Sequence, residues 1–251
     1  MSATFIVGML CVYLQCFALM FWLIGKRLQG NSLGMDVFAL GNAMLGGAYV
    51  LQLLGGGPSW DALSVLNHTL TVCTPAVYGV GAMRFFGHSV PLWRPLLAVA
   101  VTYSAAQVLV QWSLGPVARY AMLSGMSALL FLAMVITVVY GVRTFAKDLY
   151  GEMVFFALLI GGIGVLNAIK FVKIVDGGLP ALHMDSQFQM VFYIYMSSLA
   201  TVLPPSIVWL TVSISAPMAL QTFKKPARVK LVPTFLTRSS EPGTNSAAAI
   251  K

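Results

Sequence analysis

Long apolar runs alternate along this chain with short stretches of glycine, proline, asparagine and charge. Seven runs can be drawn: Thr4 to Gly25, Met35 to Leu54, Ala62 to Met83, Pro95 to Trp112, Val117 to Val142, Met153 to Val172 and Phe188 to Met218. About 20 helical residues, rising 1.5 Å each, cross a hydrocarbon core of roughly 30 Å. Turn chemistry separates the runs, at Gly30-Asn31, Gly55-Gly56-Gly57-Pro58, Gly87, Gly115-Pro116, Gly151 and Gly177-Gly178-Leu179-Pro180. The pattern predicts an all-α, polytopic membrane protein: a bundle of seven transmembrane helices over residues 1–220 and a basic cytoplasmic tail over residues 221–251. The seventh run is overlong and contains Pro204-Pro205, so a kink or tilt is expected there.

The third run carries an unusual polar load, with Asn67, His68, Thr69, Thr71 and Thr74 inside a stretch of spanning length. Such groups cannot face lipid cheaply, so most should look toward other helices or a cavity. This helix is expected near the middle of the bundle.

Composition excludes a soluble domain. Of 251 residues, 59% are hydrophobic and 9% charged, with mean hydropathy +0.85; a soluble domain would carry about a quarter charged residues. The net charge of +8 does not point to nucleic acid, because the basic residues sit at run ends and in the tail rather than on one face. Cys11, Cys16 and Cys73 all lie inside apolar runs, with no disulfide framework and no zinc spacing. The first run is no secretory leader, since Lys26 and Arg27 follow a full-length span instead of preceding a short one.

Charge distribution predicts the orientation. With the amino terminus outside and the carboxyl terminus inside, all fifteen Lys and Arg but Arg119, Lys170 and Lys173 fall on the inner side. The cluster Lys224-Lys225-Pro226-Ala227-Arg228-Val229-Lys230 is expected against anionic headgroups, and residues 237–251 are polar and expected to lack structure.

In that orientation many intramembrane polar groups share the outer half: Gln52, Asn67, His68, Gln107, Gln111, Asn167, Lys170, Gln187 and Gln189. They form either a polar pocket open to the outside or a network that ties the helices together. The ligand-binding candidates are His68, Asn67, Gln107, Gln111, Asn167 and Lys170. His68 is a candidate proton-responsive group or ligand, and Lys170 could hold an anionic group of a small molecule. Asp61, Asp176 and Asp185 stand in outer loops as candidate partners for Lys170, with no pairing fixed by the sequence.

Several chemistries drop out. The last run holds no lysine for a retinal Schiff base, and a bis-histidine haem lacks its second intramembrane histidine, since His88 and His183 lie in loops. There is no nucleophile elbow, phosphate loop or acidic metal cluster. Neither catalysis, nor a cofactor, nor a metal is expected.

The second run opens Val37-Phe38-Ala39-Leu40-Gly41, and the third runs from Asn67 through Tyr78-Gly79-Val80-Gly81 into Arg84-Phe85-Phe86-Gly87. With seven spans and an outside amino terminus, this resembles the seven-helix amino-terminal module of bacterial membrane-bound diguanylate cyclases of the GGDEF class, over about residues 1–223. The resemblance implies a sensory input module in the bacterial inner membrane that controls cyclic di-GMP synthesis. Arg84, Phe85, Lys224 and Lys225 would then lie on the signal-output side. The sequence departs from the family in having no GGDEF motif and in Pro226 and Pro233, which would interrupt a signalling helix. The implied role is a stand-alone or orphaned input module acting on a cytoplasmic signalling partner. The lipid bilayer and a second copy of the chain are the other expected partners. The alternative is a small-solute transporter or channel subunit, although no repeat relates the first three runs to the last three and Pro204-Pro205 is the one candidate break.

Overall fold

The computed structural model describes residues 3–27, 33–55, 60–145, 150–182 and 186–224. Among them every regular element is helical: α1 (Ala3–Arg27), α2 (Met35–Gly55), α3 (Ala62–Phe85), α4 (Trp93–Phe145), α5 (Tyr150–Gly177) and α6 (Gln187–Lys224), with a short 3-10 turn at Leu179–Leu182. The chain divides into two compact units, Met1–Thr211 and Val212–Lys251. The expected tail beyond residue 224, with Lys225, lies outside the described residues, as do Lys147, His183 and Asp185.

Local chemistry sets the helix ends. Asp61 caps α3, its carboxylate accepting from the Ser64 backbone N–H at 2.7 Å. At the other end of α3 the Gly87 N–H donates to the Arg84 carbonyl at 2.9 Å and the His88 N–H to the Met83 carbonyl at 3.0 Å. This is a Schellman closure, and it needs Gly87 at φ +82. Gly34, at φ +78, leads into α2 where a Cβ would stand 2.6 Å from the Gly81 carbonyl oxygen, so α2 and α3 meet there backbone to backbone.

Sequence separates the fourth and fifth runs, whereas α4 is continuous except at Gly115, whose φ of 82 and ψ of −176 are not helical. The chain folds back at that residue. Gln107 donates to Thr69 at 2.9 Å while the Tyr120 ring lies 4.9 Å from His68. Thus neighbouring positions on α3 touch α4 residues that a straight helix would hold about 20 Å apart.

Successive helices and arms run antiparallel. Phe21 meets Phe38, Phe38 meets Tyr78, and Phe86 packs on Gly141 near one end of the bundle. At the other end Gln52 donates to the Tyr193 hydroxyl at 2.6 Å and Lys170 lies over Phe192. The core between is apolar, centred on Leu10, Leu14, Tyr49, Phe131, Phe156, Ile160 and Met196.

Among the described residues five helical stretches are long and apolar enough to cross a membrane: α1, α2, Trp93–Arg143 of α4, α5 and Gln187–Thr211 of α6. The polar load of α3 keeps it out of that set. The outer surface is correspondingly greasy, with Leu109, Trp112, Leu114, Leu158 and Trp209 among the most exposed side chains. This is the make-up of a multi-pass helical membrane protein, in which lipid replaces water around the bundle. α6 stays helical through both Pro204 and Pro205.

Candidate functional site

Near the end where α3 begins, Arg119 is buried to 1% exposure just beyond the Gly115 fold-back. Its Nη1 donates to the Ser64 hydroxyl at 3.1 Å, and its guanidinium carbon lies 5.0 Å from the Trp60 ring centre and 4.9 Å from that of Tyr120. Aromatic faces and a hydroxyl thus surround a charge that hydrocarbon alone would not tolerate.

His68 sits one turn below Ser64 on the same face of α3. It is buried, its ring makes an edge contact with Tyr120 at 4.9 Å, and its Nδ1 has no hydrogen-bond partner. Arg119 and Lys170 both lie close enough to act on it electrostatically. Lys170, half-buried on α5, extends its ammonium 5.1 Å from the Phe192 ring on α6. Arg119 on α4 and Lys170 on α5 thus both bear on His68 of α3.

The neighbouring face of α3 works differently. Gln107 donates to the Val65 carbonyl at 3.2 Å and to Thr69 at 2.9 Å, and Thr69 pairs with Ser104 at 3.0 Å. These bonds join α3 to the first arm of α4, as interhelical polar groups do in lipid. The side-chain oxygens of Gln107, Gln111 and Gln189 are nevertheless buried without a partner. Buried polar atoms in native proteins usually find one, so such atoms mark places where water or a ligand belongs.

Of the sequence candidates, Lys170 acts on His68 electrostatically, whereas Gln107 serves the helix-joining network. Asn67 and Asn167 turn to their own helices: Asn67 accepts from Thr71 at 3.4 Å, and Asn167 donates to the Ile163 carbonyl at 2.9 Å. Gln111 offers its unpartnered oxygen. No family model matches this chain, and comparison with curated proteins and with solved structures finds no match either.

Arg119 was not legible as a site residue, because a basic residue beside a turn reads as a solvated run end. Its position three residues after Pro116, at the same end as Trp60 and Asp61, was the available signal. Among the described residues no three His, Cys, Asp or Glu side chains gather, so the donors on offer are basic, amide and hydroxyl groups.

Of the output-side candidates, Arg84 and Phe85 stand at the opposite end of the first unit. Arg84 pairs with Asp36 at 3.2 Å and donates through Nε to the Val90 carbonyl at 3.1 Å, tying the end of α3 to the start of α2 and to the following loop. Phe85 packs edge-on against Phe86 at 5.6 Å. Lys224 is the last residue of α6.

Proposed function

We propose that this chain is a sensory or regulatory module of a bacterial inner membrane, crossing it seven times with its amino terminus outside. It takes a small ligand with an anionic group at the His68, Arg119 and Lys170 cluster. The observation that carries the reading is that Arg119, stacked near Tyr120, and Lys170 both act electrostatically on the buried His68, whose Nδ1 has no partner. The fold-back at Gly115 supports counting α4 as two crossings. Lys26, Arg27, Arg84, Arg94 and Arg143 at the end opposite the cluster support an inner face there.

Ligand binding changes function only if two arrangements of the bundle bind it differently. The cluster spans α3, α4 and α5, so a bound anion draws those helices together at their outer ends. Their inner ends, with Arg84 and Phe85, pass the shift to a cytoplasmic partner. The resemblance to the input module of GGDEF-class diguanylate cyclases supplies the nature of that partner.

A chimera carrying a diguanylate cyclase domain after α6 tests the reading. Its cyclic di-GMP output should vary severalfold across a panel of anionic solutes supplied from outside, and His68→Leu or Lys170→Leu should flatten the response. An unchanged dose response in inserted variants overturns it. Solute flux through vesicles holding the purified chain would favour a transporter instead.

A further inference from the structure

An apolar internal space in the first unit lies away from the basic cluster. It is a cavity of ≈ 110 Å³ that begins near mid-bundle and runs toward the end bearing Arg84. Its walls carry Leu10 to Phe21 of α1, Met153 to Ile163 of α5 and Met196 to Leu210 of α6. At 1.5 Å per residue those stretches cover about 15–20 Å, roughly half of a hydrocarbon core. The space is therefore long and narrow.

Its origin lies in how α6 packs. α6 contributes Met196 to Leu210 to the wall, and large side chains hold it to the neighbouring helices: Gln52 donates to the Tyr193 hydroxyl at 2.6 Å and Tyr195 donates to the Leu159 carbonyl at 2.7 Å. Beyond these props a slot remains.

The lining decides what fits. Asn42 and Tyr78 are the polar side chains on the wall. Asn42 donates its amide to the Phe38 carbonyl at 2.8 Å, and Tyr78 presents its ring to Gly41 and Phe38. With no charge on the wall, the slot offers nothing to a head group, and water does not enter such apolar space. An empty void costs stability. Met134, Met153 and Met196 line it with adaptable, polarisable side chains suited to a flexible occupant.

We propose that this slot holds one acyl chain, entering between α6 and its neighbours, with its head group outside. The surrounding bilayer is the reservoir. Phe85 and Phe86, at the turn closing α3, form part of the wall, so the occupant touches the end of the bundle that carries Arg84. The inference needs the helices to lie in a bilayer, and it does not need the sensory reading.

The test uses the full chain in phosphatidylethanolamine and phosphatidylglycerol vesicles. One arm adds a fatty acid with a mid-chain diazirine, the other a phospholipid with the same photoreactive tail, and labelled residues are mapped by peptide mass spectrometry. Label at Met134, Met153 and Met196 is expected, from the phospholipid if a membrane lipid lends its tail and from the fatty acid alone if the occupant is free. Ala200→Phe, which fills the slot, should reduce that label at least fivefold while leaving label at lipid-facing Leu158 unchanged. Ala82→Val serves as a milder filling should the first variant not fold. Label confined to Leu109, Trp112 and Leu158, or unaltered by filling, overturns the proposal and leaves the basic cluster untouched.

Discussion

The phenol of Tyr195 occupies the space that any side chain at Gly162 would need. A Cβ built on Gly162 would collide with the Tyr195 hydroxyl and stand 2.8 Å from the ring carbon bearing it. The same hydroxyl donates to the Leu159 carbonyl at 2.7 Å. One contact thus sets both how near α6 approaches α5 and where it stops. Gly162→Ala should cost about 1–3 kcal/mol by overpacking, and Tyr195→Phe about 1 kcal/mol through the lost hydrogen bond. Because both changes act on one contact, the double variant should lose less than the sum. Unfolding in detergent checks this, and simple additivity would mean that the two positions do not press on each other.

Gly115 presents a backbone problem rather than a packing one. Nothing stands within 4 Å of a Cβ there, yet its φ of 82 with ψ near −176 belongs to a region essentially reserved for glycine. Gly115→Ala should therefore destabilise by about 1–3 kcal/mol through strain alone. Gly8 is the control: it lies inside α1 and also has nothing within 4 Å. There the alanine should stabilise by about 0.5–1 kcal/mol, as helix propensity dictates. Equal effects at the two sites, measured by thermal unfolding, would deny the fold-back geometry.

The contrast between these glycines shows what could be read from sequence. Gly87, Gly115-Pro116 and Gly177-Gly178 punctuated the chain where helices do end or bend, because turn chemistry is local. The inward faces were not legible in the same way. In a bundle surrounded by lipid both faces of a helix are apolar, so Leu158, exposed, and Ile160, buried, look alike as letters. Arg119 suffered from the same ambiguity, since a charge near a helix end is compatible with solvent or with burial among rings. The slot was invisible, because its wall is assembled from side chains of all six helices.

Arg119 offers a sharper trial of the site. Its fork holds Ser64 while its plane lies near Trp60 and Tyr120, functions that a lysine ammonium does not reproduce. Arg119→Lys keeps the charge and should still lower stability by about 1–2 kcal/mol. Ser64→Ala should cost about 0.6 kcal/mol, a common value for interhelical hydrogen bonds in membranes. Denaturation of the purified chain checks both. A neutral Arg119→Lys would mean that charge alone, and not the guanidinium shape, matters there.

Orientation yields the remaining prediction. His88 is exposed beside the Schellman closure of α3, and Lys173 is exposed near the last turn of α5. Antiparallel packing puts them at opposite ends of the bundle, so one of them faces each side of the membrane. The basic residues gather at the His88 end, with Arg84, Arg94 and Arg143, and such residues are retained on the cytoplasmic side. In a background with Cys11, Cys16 and Cys73 replaced, Lys173→Cys should react with a membrane-impermeant maleimide applied to intact spheroplasts. His88→Cys should react only after permeabilisation. The reverse pattern would turn the bundle over, placing the His68, Arg119 and Lys170 cluster at the cytoplasmic face, where it could not meet a solute arriving from outside.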